Sequence, residues 1–470
     1  MTAQKRSENI QKVPISITAY TAASLETKGV TDVTAVGNLA PNVTLDAGTP
    51  FSGSSAVLSA YIRGIGQNDF AFNLDPGVGV YLDGVYLARS VGANQDLLDI
   101  DRVEILKGPQ GDLFGRNTIG GAISIVTMKP SSEFGGKFEV TAGRFNRIDT
   151  KGVINVPLAD GLYSSLSFST KNNSGYQKLI PFPGFASGAI ADNFPYFGAG
   201  HPHRFGGENQ YALRGKLLWE ATPDLSITLA GDYLHQDNNG VASTILKTFT
   251  NPADPSNIFG PLYNGCIAGV LPPFAQTGIC NNILNGTNLN GLVATSPTLF
   301  YGDQFIAPSI DTTYATGNSF SRMRNYGGSL TIDADLGGPV LKSITAYRKL
   351  NWQSAEDEDG SPLPILQTSF DENQHQFSEE LQLTGKTAAD RLSYVLGVYY
   401  FNEGGNLHDL VTFPAGLLQI DGQNYLSTTN YAGYAHLNYK ITDQLSFTLG
   451  GRYTHENKHF TGLQSDPNGI

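Results

Sequence analysis

No stretch of this sequence reaches the roughly 18 consecutive apolar residues that a membrane-crossing helix needs, so helical spans are excluded. Charge is scarce as well: Asp, Glu, Lys and Arg make up 15% of 470 residues. The formal net charge of −12 removes the basic footprint that nucleic-acid binding requires, although acidity alone does not select a cationic ligand. Cysteine is almost absent. Cys266 and Cys280 share the segment YNGCIAGVLPPFAQTGICNN, and neither a second cysteine pair nor a nearby histidine completes the four ligands of a structural zinc site. Two cysteines so close in a polar loop predict a disulfide formed in an oxidising compartment. Closing a loop of that size is worth about 3 kcal/mol in chain entropy. No apolar segment follows the polar start MTAQKR, so no signal peptide is visible.

Catalytic signatures are missing too. There is no GxSxG, no HExxH and no Cys/His pairing. Glu379 and Glu380 are adjacent in a strand-like run, and adjacent strand residues face opposite sides, so they form no carboxylate dyad. The His201-Pro202-His203 triplet lacks a third ligand and reads as loop. His455 and His459 lie about 13 Å apart at strand rise. The run Glu356-Asp357-Glu358-Asp359 fits no fixed calcium template and reads as an acidic solvated loop. Neither an enzyme, a metal site nor a bound cofactor is expected.

What the sequence does have is 54 Gly, 10% aromatics and alternation. That composition suits either a soluble all-β protein or a membrane barrel whose lipid-facing residues alternate with lumen-facing ones. Eleven strands are predicted near 137–145, 147–157, 162–173, 208–220, 225–236, 322–335, 340–354, 372–385, 391–405, 426–441 and 445–460. In the last, Leu445, Phe447, Leu449 and Tyr453 take one face and Ser446, Thr448, Arg452 and Thr454 the other. After a tight turn at Asn146, short connections alternate strictly with long ones near 174–207, 237–321, 355–371 and 406–425. Short turns at one end and long loops at the other mark a transmembrane barrel. A soluble sandwich has no reason to sort its loops this way.

The first 130 residues have a different texture. Strands are predicted at 13–20, 56–63 and 77–86, short helices at 22–28 and 32–39 with Asp32 as N-cap, and one helical turn at 95–99. Residues 101–128, DRVEILKGPQGDLFGRNTIGGAISIVTM, read as strand, Gly-rich turn, strand. GPQGDLFG lacks the lysine of a phosphate-binding loop, and a strand rather than a helix follows it.

The run RVEILKGPQGDLFGRNTIGGAISIVT resembles the end of the plug domain of TonB-dependent outer-membrane receptors. YIRGIG (residues 61–66) and GVGVYLDGVYLAR (residues 77–89) match the same family in the expected order. The resemblance implies an N-terminal α/β plug at 13–130, a hinge at 131–136 and an antiparallel membrane β-barrel, partial at about 11 strands, over 137–470. It also implies a mobile segment at 1–12, left from a TonB-box region that MTAQKR enters part-way. Since the family closes a barrel of roughly 22 strands around its plug, the sequence reads as half a receptor, truncated at both ends.

The implied function is active uptake of a scarce nutrient, with a ferric siderophore the commonest cargo, across the outer membrane of a Gram-negative bacterium. The implied partners are the TonB complex, outer-membrane lipid and a small extracellular ligand. A non-transporting surface binding or adhesion protein on the same barrel, or a non-functional fragment, are the alternatives. Plug apical loops would meet the ligand through Gln67, Asn68, Asp69, Phe70, Phe72 and Asn73, and through Arg89 and Asn94. Arg63 and Arg102 match positions where the family pairs plug arginines with barrel glutamates, and parity points Glu380 into the lumen to receive them.

Overall fold

The structure, a computed structural model, describes residues 5–6, 15–48, 51–183, 197–198, 203–250, 259–273, 280, 300–315, 319–363, 365–413 and 419–466.

The N-terminal part is built on a five-stranded sheet. Strand β1 (Ser16–Thr21) leads into α1 (Ala22–Thr27) and α2 (Val33–Gly37), then β2 (Val43–Ala47), β3 (Leu58–Ile62), β4 (Ile65–Gln67), β5 (Val78–Leu82), β6 (Val85–Leu87), β7 (Ile100–Lys107) and β8 (Gly121–Thr127). The larger sheet has the order β1-β7-β8-β5-β6, and β2-β3-β4 form a second. Asp32 caps α2 as expected, accepting from the Ala35 amide at 3.0 Å. Val33, Val36 and Leu25 of the helices pack on Val80, Val103, Ile105, Ile123 and Ile125 of the sheet. This apolar layer is what holds the small domain together.

Two local expectations need correction. Residues 77–86 are not one strand: Asp83 and Gly84 take positive φ (48° and 86°) and fold β5 back on β6. Asp-Gly is a strong hairpin signal because both positions of a type I′ turn need φ > 0. Residues 95–99 form no helical turn. Their backbone instead bonds the loop before α2, through Val33 N to Gln95 O (3.3 Å) and Leu97 N to Thr31 O (3.0 Å).

The wall that follows is one 11-stranded antiparallel sheet. It contains β9 (Gly135–Gly143), β10 (Arg147–Ala159), β11 (Leu162–Asn173), β14 (Glu208–Thr222), β15 (Leu225–Asn239), β17 (Phe320–Asp335), β18 (Val340–Asp357), β19 (Gln367–Thr387), β20 (Leu392–Thr412), β21 (Gln419–Lys440) and β22 (Ser446–Ser465). All eleven predicted strands are present, and the short connections fall where expected. The strands run further at the long-loop end than their sequence pattern shows. Residues 406–412 and 419–425, read as loop, continue β20 and β21, and Gly135 and Gly136, read as hinge, already pair with Asn155 and Ile154. Above this end lie β12 (Gln177–Leu179), β13 (Arg204–Phe205), β16 (Thr312–Thr313) and helix α3 (Phe259–Ala268). Cys266 and Cys280 are disulfide-bonded, with Cα atoms 5.1 Å apart. They pack with Tyr263, Phe305, Leu363 and Ile365.

The wall encloses the N-terminal domain with its inner face. Ala212, Leu234, Met323, Leu350, Trp352 and Phe370 of the wall bury Ala56, Val57, Phe70, Phe72, Val91 and Leu98 of the plug. Gly53 (φ +58°) shows how closely the two approach, since a Cβ there would stand 2.7 Å from the Ala355 carbonyl oxygen. Residues of opposite parity turn outward and stay exposed, among them Leu213, Trp219, Leu229, Leu381, Val398, Leu445, Phe447, Leu449 and Tyr453. Arg452 turns inward over the Tyr434 and Tyr399 rings. Glu380 is likewise inward, and Glu379, of lipid-side parity, is fastened by the Ser343 hydroxyl (2.8 Å) and by Thr345. An apolar outer face on a wall with a polar, filled interior is a membrane-barrel surface. Leu229, 54% exposed at the centre of the outward-facing stretch from Leu225 to Tyr233 of β15, tests it directly. Leu229→Arg is expected to lower stability in phospholipid vesicles by about 2–4 kcal/mol, read by urea titration, whereas Leu229→Ala costs far less. Equal losses would contradict a lipid-facing position.

Candidate functional site

The long-loop end opens into a cavity of about 850 Å³. Its floor is the apical loop between β4 and β5, through Asn68, Asp69, Phe70, Ala71, Phe72 and Asn73. Its side is the wall, through Phe370 of β19, Leu407 and Asp409 of β20, Asn424 of β21 and Phe460 and Gln464 of β22. Phe70 anchors the floor by edge-to-face packing on Trp352 (5.4 Å) and Phe370 (4.9 Å). Asp69 shapes the loop by accepting from the Ala71 amide at 2.8 Å, an Asx-type turn. Asn424 donates to Asp409 at 2.5 Å. Aromatic faces beside a few amides and carboxylates are the usual lining of a small-molecule site.

Five of the eight predicted ligand residues therefore line this cavity. Gln67 does not; it braces the loop from below by donating to the Asp69 carbonyl at 3.2 Å. Asn94 lies deeper, donating to the Ser55 carbonyl at 3.3 Å. Arg89 is buried (5% exposed) and faces the wall rather than the cavity. The wall residues Phe370, Leu407, Asp409, Asn424, Phe460 and Gln464 were not foreseen. Parity shows which way a side chain points but not which plug loop stands opposite.

Arg89 is instead the main fastening of plug to wall. Its guanidinium grips Glu403 with two parallel bonds, Nε to Oε1 at 2.6 Å and Nη2 to Oε2 at 2.8 Å. Nη1 donates to the Phe72 and Leu74 carbonyls at 3.0 and 3.1 Å, and the group lies 4.8 Å from the Phe72 ring centroid. Burial alone would lower the Arg89 pKa, but the Glu403 carboxylate outweighs it and holds the guanidinium protonated. Gln374 supports Glu403 at 3.0 Å, and Gln376 bonds the plug backbone at Tyr86 O (2.5 Å) and Ala88 N (3.2 Å).

The expected partnership of Arg63 and Arg102 with Glu380 does not form. Arg102 turns along its own strand to Glu104 (2.7 Å) and Asp101, since residues two apart on a strand share a face. Arg63 sits in the tight β3–β4 turn at φ 54°. Glu380 is satisfied by Lys5 Nζ at 2.5 Å and the Tyr434 hydroxyl at 2.7 Å. Of the N-terminal segment read as mobile, Lys5 and Arg6 are the described residues, and Lys5 is held between Glu380 and the Phe114 and Tyr434 rings. Strands β11 and β14, five or six strands along the wall from β20, carry the reverse charge pattern. Lys171 meets Asp96 at 2.9 Å, Arg214 meets Asp99 at 2.9 Å, and Lys216 lies 3.6 and 3.7 Å from Asp83 and Asp99.

The acidic run at 356–359 is not a solvated loop: Glu356 and Asp357 are buried and Glu358 and Asp359 half-buried. Asp359 accepts from the Ser361, Ile365 and Leu366 amides at 3.0, 3.1 and 2.9 Å and so shapes its loop. Burial pushes Asp359 up to about 6 and Glu358 up to about 7. Unfolded carboxyls ionise near pH 4, so from there to about pH 7 the folded loop binds more protons than the unfolded one. The stabilisation from these two groups is therefore complete below about pH 4 and lost as pH rises through 7. Amide exchange at Ser361, Leu363, Ile365 and Leu366, corrected for intrinsic rate, is expected to be faster at pH 8 than at pH 5. Equal protection would contradict this. His201 and Pro202 lie outside the described residues, and among the described residues no three metal-ligating side chains converge.

Comparison with known proteins settles the family. The TonB-dependent receptor plug domain matches residues 9–122, and the TonB-dependent receptor-like β-barrel matches residues 276–468, together about two thirds of the chain. The chain belongs to the TonB-dependent receptors. The pesticin receptor of Yersinia enterocolitica is 30% identical to this receptor chain over 177 residues, covering 37% of the chain and 25% of that protein. The ferripyoverdine receptor of Pseudomonas aeruginosa is 24% identical over 285 residues, covering 59% and 30%. The chain thus spans a quarter to a third of the length of these curated relatives. The crystal structure of the ferric yersiniabactin uptake receptor of Yersinia pestis superposes with TM-score 0.71 at 19% identity, covering 100% of the chain and 61% of that structure. Barrels of this family reside in the outer membrane of Gram-negative bacteria.

Proposed function

We propose that this TonB-dependent receptor chain forms the plug and part of the wall of an outer-membrane uptake receptor whose cargo is a small ferric chelate of the siderophore class. The cavity of about 850 Å³ at the long-loop end carries this reading, because its floor belongs to the plug and its side to the wall. A ligand seated there touches both, so its binding energy can act on the joint between them. Names among the relatives support the cargo class: ferripyoverdine, ferrioxamine B and metal-pseudopaline receptors all match. The TonB complex is the energy-supplying partner in this reading, acting on the N-terminal segment that Lys5 tethers at Glu380.

Equilibrium binding of iron-55 complexes tests the proposal. Ferrioxamine B, a ferric catecholate and ferric citrate are presented to the folded chain in detergent, beside Asn68→Ala and Asp409→Ala variants. One complex is expected to bind, with each variant weakening it by about tenfold, the loss of one buried polar partner. No binding by any of the three, or binding indifferent to both substitutions, would overturn it.

A further inference from the structure

The side of the cavity formed by β20, β21 and β22 contains a notch. Register places Asp409 opposite Gly422 and Gly422 opposite Gln464. One inward step below, Asn424 is opposite Gly462, and below that Leu426 is opposite Phe460. All of these share inward parity. The two glycines hollow the wall. A Cβ at Gly422 would stand 2.5 Å from both carboxylate oxygens of Asp409, and one at Gly462 would stand 3.2 Å from Asn424 Oδ1 and from the Phe460 ring. A side chain at the first position would displace the carboxylate, and one at the second would crowd the amide. Phe460 is 37% exposed, so much of its ring is left uncovered.

The notch presents acceptors, and its donors are already in use. Asn424 Nδ2 donates to the Leu407 carbonyl at 3.3 Å and to Asp409 Oδ1 at 2.5 Å. Both of its N–H groups are thereby committed, and Oδ1 is left over Gly462 as an acceptor. No cation answers Asp409. The described residues that line the cavity include no lysine, arginine or histidine. Nearby cations are engaged elsewhere: Lys458 by Asp75 at 3.1 Å, and Arg116 by Asp75 at 2.8 Å and Glu456 at 3.0 Å. His408, of outward parity, is held by Asp421 at 2.6 Å. Burial raises the Asp409 carboxyl above its usual range, and the Asn424 bond offsets this only in part.

We propose that the notch is a subsite for a primary ammonium group, so that the cargo of this cavity is a ferric chelate carrying a free amine. An ammonium offers three donors and no acceptor. That is the complement of the Asp409 carboxylate, Asn424 Oδ1 and the Gln464 amide oxygen. The Phe460 ring adds a face on which the cation can rest. A hydroxamate chelate fits this description, because three hydroxamates neutralise ferric iron and a pendant amine then makes the whole complex cationic. Ferric catecholates and ferric citrate are anionic, and would set like charge against Asp69 and Asp409. The inference rests on the cavity being the cargo site proposed above.

Ferrioxamine B carries such an amine, and its N-acetyl derivative differs only in having that amine capped and uncharged. The test is equilibrium binding of both, as iron-55 complexes, to the full chain in detergent, beside ferric citrate and a ferric tris-catecholate. The amine form is expected to bind about 10- to 100-fold more tightly than the acetylated form, as a hydrogen bond to a charged group allows. Asp409→Asn keeps the shape of the side chain. It is expected to cut that preference to about threefold or less by weakening the amine form alone. Asp421→Asn removes a carboxylate of outward parity and is expected to leave the preference in place. Comparing the two chelates on the unaltered chain requires no variant to fold. Equal binding of the two, a preference that survives Asp409→Asn, or an equal fall in Asp421→Asn would each overturn the subsite. Binding of ferric citrate or the catecholate alone would overturn it while leaving the uptake reading in place. Binding of none of the four would overturn both.

Discussion

Glu403→Ala is expected to destabilise the folded chain by about 3–5 kcal/mol, because it leaves the Arg89 guanidinium buried without its counter-ion. The loss is that of an uncompensated buried charge, not of the net worth of the pair, which desolvation makes small. Glu372 supplies the control. It is fully buried beside the same arginine, and neither of its oxygens has a hydrogen-bond partner. Glu372→Gln removes a poorly satisfied carboxylate, so stability should stay level or rise. Urea titration in phospholipid vesicles reads both. A Glu403→Ala loss below about 1 kcal/mol, the range of exposed pairs, would mean that Arg89 finds another partner.

Phe70→Ala is expected to cost a similar amount, about 3–5 kcal/mol, since it empties the centre of an aromatic cluster. Phe70 is the plug's contribution to a group otherwise made by Trp352 and Phe370 of the wall. The loss should therefore fall on the joint between plug and wall. Trp352 reports it directly. With Trp219→Phe as background, its emission should shift to the red in the Phe70→Ala variant as water reaches the ring. An unshifted spectrum with full stability would mean that the floor of the cavity closes over without Phe70.

The wall was legible in the sequence because period-two alternation survives in residues such as Leu445, Phe447 and Leu449 whatever they later touch. Strand ends were less legible. Above the membrane both faces of β20 and β21 meet polar surroundings, so residues such as Asn406, His408, Asp421 and Gln423 lose the alternation while keeping the ladder. Asp83-Gly84 was a readable turn signal, overridden because the apolar residues on both sides look continuous. The plug fastening was readable only in part. Parity along β20 points Glu403 inward, but Arg89 lies 314 residues away. Which plug loop faces which strand depends on how far round the wall curves. The cavity shows the same split, its plug half legible as a loop rich in amides and aromatics, its wall half not.

The charges that join plug and wall have a consequence for assembly. Strands β11 and β14 offer Lys171, Arg214 and Lys216 to plug aspartates, and β20, five or six strands along the wall, offers Glu403 to a plug arginine. The socket is thus polarised along its circumference, like a keyed connector. A plug turned by those five or six strands, so that Arg89 faced β11 and β14, would set it against three cations in a poorly screened interior. Azimuth is selected by repulsion from wrong settings as much as by attraction to the right one.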